Sequence, residues 1–204
     1  MSEKTDFDHW QERFAGDDYR FGTAPNAFLK ANANLLRKGQ TALAIADGEG
    51  RNGVFLASQG LDVLSVDFSP NAQAKARKLA AARGVTISVE QADVINWSYP
   101  PDAFDVVAAI FFQFAAPPDR DKIFAGIKRT LKRGGLLLLE GYGPKQLEYK
   151  TGGPGILENL YTLEILEAAF GDFALLDIRE YDAELHEGAG HGGMSALVDL
   201  VAVK

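Results

Sequence analysis

The chain has 204 residues, 47% hydrophobic and 24% charged, with 21 Lys and Arg against 28 Asp and Glu for a net charge of −7. Such a length and balance suit one domain with a substantial core and exclude a disordered chain. The acidic surplus excludes a general nucleic-acid binder, which needs a basic face, and the lack of cysteine excludes a disulfide framework, thiolate metal sites and thiol nucleophiles.

No repeat, low-complexity tract or run of like charges marks a boundary, so residues 1–204 are expected to form a single domain. The polar, acidic start Met1-Ser2-Glu3-Lys4-Thr5-Asp6 is unlike an export leader. The most apolar stretch, 106–116, has about half the ~20 residues of a membrane span. A cytoplasmic protein with no membrane partner is expected.

In chain order, the stripes Phe7, Trp10, Phe14 and then Phe28, Leu29, Leu35, Leu36 predict two helices, an N-terminal helical cover over residues 1–40. From Thr41 onward, apolar runs at 42–46, 63–66, 86–90, 106–111 and 136–139 alternate with helical segments. That alternation predicts a parallel sheet covered by helices. Helices are predicted at 54–59, at 72–83 behind an N-cap and N1 proline at Ser69-Pro70, at 119–133 and at 162–170. In the third of these, Ile123, Phe124, Ile127 and Leu131 share one face and Gly134-Gly135 ends the helix. Two last runs, 174–184 and 195–203, have no helix between them and should pair antiparallel at a sheet edge. The segment 141–155, rich in Gly and Pro, reads either as a mobile lid over a site or as a static connection.

The central motif is the strand 42–46 running into Asp47-Gly48-Glu49-Gly50-Arg51-Asn52-Gly53, where Gly48, Gly50 and Gly53 match G-x-G-x-x-G. A second strand ends in Asp67, nineteen residues after Gly48, where a carboxylate accepts the hydroxyls of an adenosine ribose. A pyrophosphate on this turn would be repelled by Asp47 and Glu49, whereas a cationic sulfonium zwitterion would be attracted. S-adenosylmethionine is such a ligand. After the third strand, Gln91-Ala92-Asp93-Val94 offers an acid for an adenine amino group and the next backbone N–H for a ring nitrogen. The alternative reading of Asp93 is a plain turn residue.

These residues, with Phe104-Asp105-Val106-Val107 and Leu131-Lys132-Arg133-Gly134-Gly135-Leu136, resemble the class I S-adenosylmethionine-dependent methyltransferases over residues 7–204. The segments 19–29 and 187–193 are similar to the small-molecule branch related to tellurite-resistance and thiopurine methyltransferases. The resemblance implies a doubly wound, Rossmann-like α/β fold with a seven-stranded sheet, mostly parallel with an antiparallel C-terminal strand pair. It implies S-adenosyl-L-methionine as cofactor and Tyr19, Asp47, Gly48, Glu49, Gly50, Asn52, Asp67, Phe68, Ala92, Asp93, Val94 and Phe111 around it. This chain departs from the family at Ala44, where an acid is usual, and at Ala46, where glycine is usual. Asp47 is expected to take over the missing carboxylate's contact.

Methyl transfer at an activated carbon needs alignment more than a side-chain nucleophile. Phe112, Gln113, Tyr142, Tyr149 and His191, beyond the strand ends, are the substrate candidates, with His191 and Tyr149 as catalytic candidates. Gln113 reads also as a strand cap, and Tyr149 as a loop anchor. The histidines His9, His186 and His191 lack metal-site spacing, so no metal is expected. The expected activity is methyl transfer to a small-molecule acceptor by a monomer or homodimer, without nucleic acid. The alternatives are a nicotinamide-dinucleotide oxidoreductase and a non-catalytic module that binds S-adenosylmethionine.

Overall fold

The computed structural model describes residues 6–204. Its helices are α1 (Asp6–Arg13), α2 (Ala27–Ala31), α3 (Arg51–Ser58), α4 (Pro70–Ala82), α5 (Pro117–Thr130), α6 (Gln146–Tyr149) and α7 (Leu163–Phe170). Its strands are β1 (Thr41–Ile45), β2 (Asp62–Asp67), β3 (Ser88–Gln91), β4 (Phe104–Ile110), β5 (Leu131–Tyr142), β6 (Leu175–Glu187) and β7 (His191–Val203). They form one seven-stranded sheet in the order β3-β2-β1-β4-β5-β7-β6, parallel except for β7, which runs antiparallel to both neighbours.

Alternate side chains leave a strand on opposite faces, which is why the central strands read as unbroken apolar runs. Leu43, Val107, Leu137, Leu139 and Leu200 face one layer, where Ile123, Phe124 and Ile127 of α5 and Leu166 and Phe170 of α7 pack. Ala42, Ala44, Val106, Ala108 and Leu138 face the other, against Leu56 of α3 and Phe28 and Leu29 of α2. The small Ala residues on this second face let α3 approach β1, which sets the start of α3 at the strand ends.

Three expectations shift. The helix predicted through Arg133 stops at Thr130, and Leu131 opens β5. The carbonyls of Arg129 and Thr130 accept N–H groups of Asp102 and Ala103, so the loop before β4 caps the helix early. Leu131 remains fully buried. The helix carrying Phe28 and Leu29 ends before Leu35 and Leu36, because the Asn32 side chain donates to the Phe28 carbonyl (3.0 Å) and a 3-10 turn follows. Leu35 is exposed. Finally, Gly141 and Tyr142 lie within β5, and residues 146–149 form α6.

Gly126 lies in the middle of α5, and a Cβ there would overlap the Tyr99 ring. Tyr99 has little room to yield, because its hydroxyl donates to the Val94 carbonyl at 2.8 Å. Alanine gains about 1 kcal/mol of helix propensity, whereas overpacking costs roughly 1–3 kcal/mol. Gly126→Ala is therefore expected to lower stability by about 1–2 kcal/mol in chemical denaturation; an increase would show that the ring yields freely.

Candidate active site

A cleft of about 660 Å³ opens at the carboxyl ends of the parallel strands, on either side of β1 and β4 where the strand order reverses. Its polar half is built by the ends of β1, β2 and β3, with Asp47, Gly48, Asp67, Gln91 and Asp93. Its aromatic half is built by α1, the turn after it, the loop after β4 and the start of β7: Trp10, Phe14, Phe21, Phe111, Phe114 and His191. Phe7 of α1 meets Phe68 edge to face, with centroids 5.7 Å apart.

The glycine turn is held from below. Gly50 has φ 85°, and a Cβ there would meet that of Ala76 at 2.5 Å, so this position requires glycine for both reasons. The Asp67 carboxylate accepts the Gly48 N–H and the Ser69 N–H, each at 2.8 Å. Burial raises its pKa while these two backbone bonds pull it back. A carboxylate has about four lone-pair sites, so acceptor capacity toward the cleft remains.

Asp47 and Glu49 lie differently from what their sequence positions imply. The Asp47 carboxylate points beneath the turn, accepting from Gly53 N–H (3.1 and 3.2 Å) and from the Ser65 hydroxyl (2.7 Å). Burial outweighs those bonds, and nearby Asp67 adds to it, so its pKa rises to about 7. Glu49 turns away onto α4, where the Lys75 ammonium sits 2.7 Å from it. Neither presents a full free negative charge to a ligand on the turn, so the repulsion argument against a dinucleotide is weaker than sequence suggests. The sheet order discriminates instead, since the common dinucleotide-binding order is 3-2-1-4-5-6, without the antiparallel strand wedged beside β5 here.

Of the expected cofactor residues, Asp47, Gly48, Asn52, Asp67, Phe68, Ala92, Asp93, Val94 and Phe111 line the cleft. Glu49 and Gly50 do not, and Tyr19 packs on α4 with its hydroxyl donating to the Lys75 carbonyl. Asp93 also serves its own turn, accepting from Ile95 N–H at 3.0 Å and the Asn96 amide at 2.7 Å. Among the substrate candidates, His191 and Phe112 line the cleft, although the Phe112 ring turns inward toward Phe124 and Tyr161, 6.2 Å from each. Gln113 straps β5 to the following turn through the Tyr142 and Asn159 carbonyls and the Tyr142 N–H. Tyr142 is buried behind Phe111, with ring centroids 4.7 Å apart. Tyr149 lies outside the cleft, its ring 5.1 Å from the Lys145 ammonium. The segment 141–155 is pinned by Gln146, which accepts from Ala196 N–H and donates to Thr151 and Gly152. The elements bordering the cleft are α1 and the tip of the β6–β7 hairpin.

Sequence reasoning gave no role to Asn26, Arg51 and Glu187, which hold that tip. Glu187 accepts from the Ala27 N–H (2.8 Å) and lies 2.6 Å from Nη1 of Arg51, the first residue of α3. Asn26, fully buried, donates to Glu140 (2.5 Å) and Glu187 (3.2 Å), caps α2 through Leu29 N–H, and donates its backbone N–H to Asn52. Glu140 faces Asp199 across the β5–β7 pair. Burial, then Asp199, push the Glu140 pKa far up, and burial raises that of Asp199 as well.

A family model for a methyltransferase domain matches residues 42–135, which span the glycine turn, Asp67 and Asp93. Residues 42–135 thus carry a methyltransferase domain. The chain is 31% identical over 126 residues to a demethylmenaquinone methyltransferase of Thermus thermophilus, covering 61% of this chain and 55% of that one. The chain thus spans little more than half the length of that relative. In fold it is similar to TehB from Haemophilus influenzae (TM-score 0.73, 18% identity, covering 97% and 66%). It is also similar to Haemonchus contortus phosphoethanolamine N-methyltransferase 2 in complex with S-adenosyl-L-methionine (TM-score 0.68, 20% identity, covering 96% and 56%). The methyltransferase domain supplies the polar half of the cleft, while most of the aromatic half comes from residues on either side of it.

Asp47 makes the domain's stability pH-dependent with a definite sign. Its folded pKa of about 7 lies above its ordinary 3.8, so between these values the folded chain keeps a proton that the unfolded chain releases. Its contribution to stability therefore falls as pH rises through that window, by roughly 1.4 kcal/mol per pH unit. Asp47→Asn, which can still accept from Gly53 and bond Ser65, is expected to gain stability relative to the parent between pH 5 and pH 8 in urea denaturation. A constant difference would place the titration elsewhere.

Proposed function

We propose that the chain transfers the methyl group of S-adenosylmethionine to a small-molecule acceptor. The observation that carries this reading is a single cleft with a polar recess at the β1–β3 ends and an aromatic recess beside it, which suits a nucleoside cofactor next to an apolar reaction chamber. In this reading Gly48 and Asn52 hold the amino-acid end of the cofactor, Asp67 the ribose, and Ala92, Asp93 and Val94 the adenine. Phe68 and Phe111 flank the sulfonium, where each aromatic face contributes about 0.5–2 kcal/mol. Bound S-adenosylmethionine supplies an activated methyl carbon; the chain's own work is to align the acceptor and exclude water.

His191 is the candidate base for an acceptor that loses a proton. Its ring stands between Phe21 and Phe111, with centroids 4.5 and 4.3 Å away. Burial lowers its pKa, with Glu187 opposing, so the imidazole is neutral and able to accept. The relatives' names, a demethylmenaquinone and a phosphoethanolamine methyltransferase, support a small-molecule acceptor. A net charge of −7 supports an acceptor other than nucleic acid. We take the working form to be a cytoplasmic monomer or homodimer, with residues 1–204 acting as one domain.

A thermal-shift panel of S-adenosylhomocysteine, NAD and NADP tests the cofactor. S-adenosylhomocysteine at 100 times its Kd is expected to raise Tm by roughly 5–11 °C, and a shift with NAD alone would overturn the proposal. Asp67→Ala is expected to weaken S-adenosylhomocysteine binding by roughly 10- to 150-fold through loss of bonds to a charged acceptor. Unchanged affinity of the folded variant in calorimetry would mean that the ribose is held elsewhere.

A further inference from the structure

The hairpin tip brings a buried carboxylate, a buried guanidinium and the candidate base into one cluster. Glu187 and Arg51 are ion-paired at 2.6 Å with side chains 8% and 7% exposed, and Glu187 lies 4.0 Å from His191 Nδ1. That nitrogen is buried and has no hydrogen-bond partner among the described residues, so at this distance the carboxylate acts on it through its field. Glycines on either side make the placement possible. A Cβ on Gly188 would strike the backbone of Phe21 and Gly22, and one on Gly190 would strike the Phe21 ring. The tip is thereby pressed onto the turn after α1, and the Gly190 N–H donates to the Arg20 carbonyl at 3.0 Å.

We propose that Glu187 is a positioning residue for methyl transfer, holding Arg51 at the start of α3 and setting the proton affinity and orientation of His191 at the acceptor side of the cleft. The inference rests on the reading of His191 as the base. As the acceptor loses its proton, the imidazole becomes an imidazolium, and Nδ1–H then faces a carboxylate already charged and fixed. Burial pushes Glu187 up, but His191, Arg51 and the Ala27 N–H outweigh it and hold it at about 2, so it stays ionised throughout. Other groups facing the cluster are Arg13 of α1, Glu140 and Tyr142 of β5 and Tyr181 of β6. Arg51 and Arg13 oppose protonation of His191, and Glu187 favours it. Tyr142 and Tyr181 stay neutral, because burial raises both. Burial lowers the proton affinity of His191 most, and among the charged groups Glu187 opposes that while Arg51 adds to it.

The test is the NMR titration of the full chain, which has three histidines, with His191 assigned by its absence in His191→Asn. Glu187→Gln keeps an oxygen for the Ala27 N–H and is expected to lower the His191 midpoint by about one pH unit or more. Arg51→Met is expected to raise it. A purely structural disturbance would move both variants the same way. Should Glu187→Gln alone fail to fold with Arg51 unpaired, Arg51→Met/Glu187→Gln is compared with Arg51→Met, and the midpoint is expected to be lower in the double variant. With the acceptor present, Glu187→Gln is expected to lower kcat by about 10-fold while KM for S-adenosylmethionine changes little. An unmoved midpoint overturns the role of Glu187. Undiminished turnover by His191→Asn, with the midpoint shifts intact, overturns the assignment of the base instead.

Discussion

The cleft depends on a charge buried at a hairpin tip. Glu187 would be costly to bury alone, and removing one partner of such a pair costs roughly 3–5 kcal/mol. Here the carboxylate is met by Arg51, by the Ala27 N–H and by the Asn26 amide, which come from two segments distant from it in sequence. Asn26 adds a second tier: all its polar groups are engaged, joining α2, α3, β5 and the tip. Because a half-satisfied buried network is worse than none, these segments must dock together. The wall of the cleft opposite α1 is consequently fixed by polar satisfaction more than by apolar packing.

The sheet was legible because its signal is local and repeated. Doubly buried strands demand apolar runs, and the glycine and proline signals around 69–84 fix a crossover helix independently of what packs on it. The glycine turn and Asp67 were legible for the same reason, since their spacing follows from one strand-turn-helix-strand unit. What sequence left hidden is pairing across distance. Glu49 reads as a free charge until Lys75, 26 residues later, neutralises it. Asn26, Arg51 and Glu187 fall within motifs that resemble the family, but nothing local shows that they meet. Tyr149 reads as a loop aromatic over the site, but the four-residue helix that follows β5 turns it toward Lys145.

The division of the cleft follows from where its walls originate. The polar half comes from turns immediately after β1, β2 and β3, where backbone N–H groups need carboxylate and amide partners. Asp67 and Asp93 each serve a turn as well as the cleft. The aromatic half comes from α1, the turn containing Phe21 and the hairpin tip, which pack on one another through rings: Trp10 on Phe14, Phe14 on Phe21, and Phe21 on His191. The guanidinium that lines the cleft, that of Arg51, is ion-paired with Glu187.

Two of the four non-glycine residues with positive φ among the described residues lie at the same place. Ala46 (φ 47°) and Phe111 (φ 53°) are non-glycine residues in the left-handed region, and each follows directly on a central strand, β1 or β4, at the floor of the cleft. Such a conformation costs an L-residue about 1–2 kcal/mol, so something must hold it. At Phe111 the holding contacts are explicit: its N–H donates to the Glu140 carbonyl at 2.8 Å, and its ring lies against both Tyr142 and His191. The Glu140 side chain in turn accepts from Asn26, so the residue that ties down the hairpin tip also steadies the strand on which the Phe111 turn closes. At Ala46 the constraint comes from Asp47, whose N–H donates to the Val66 carbonyl while its carboxylate is anchored beneath the turn on Gly53 and Ser65. The alanine at 46 and the buried acid at 47 are thus one structural unit. The corner strained at Ala46 persists because its neighbour's buried carboxyl is bonded on both sides of the turn.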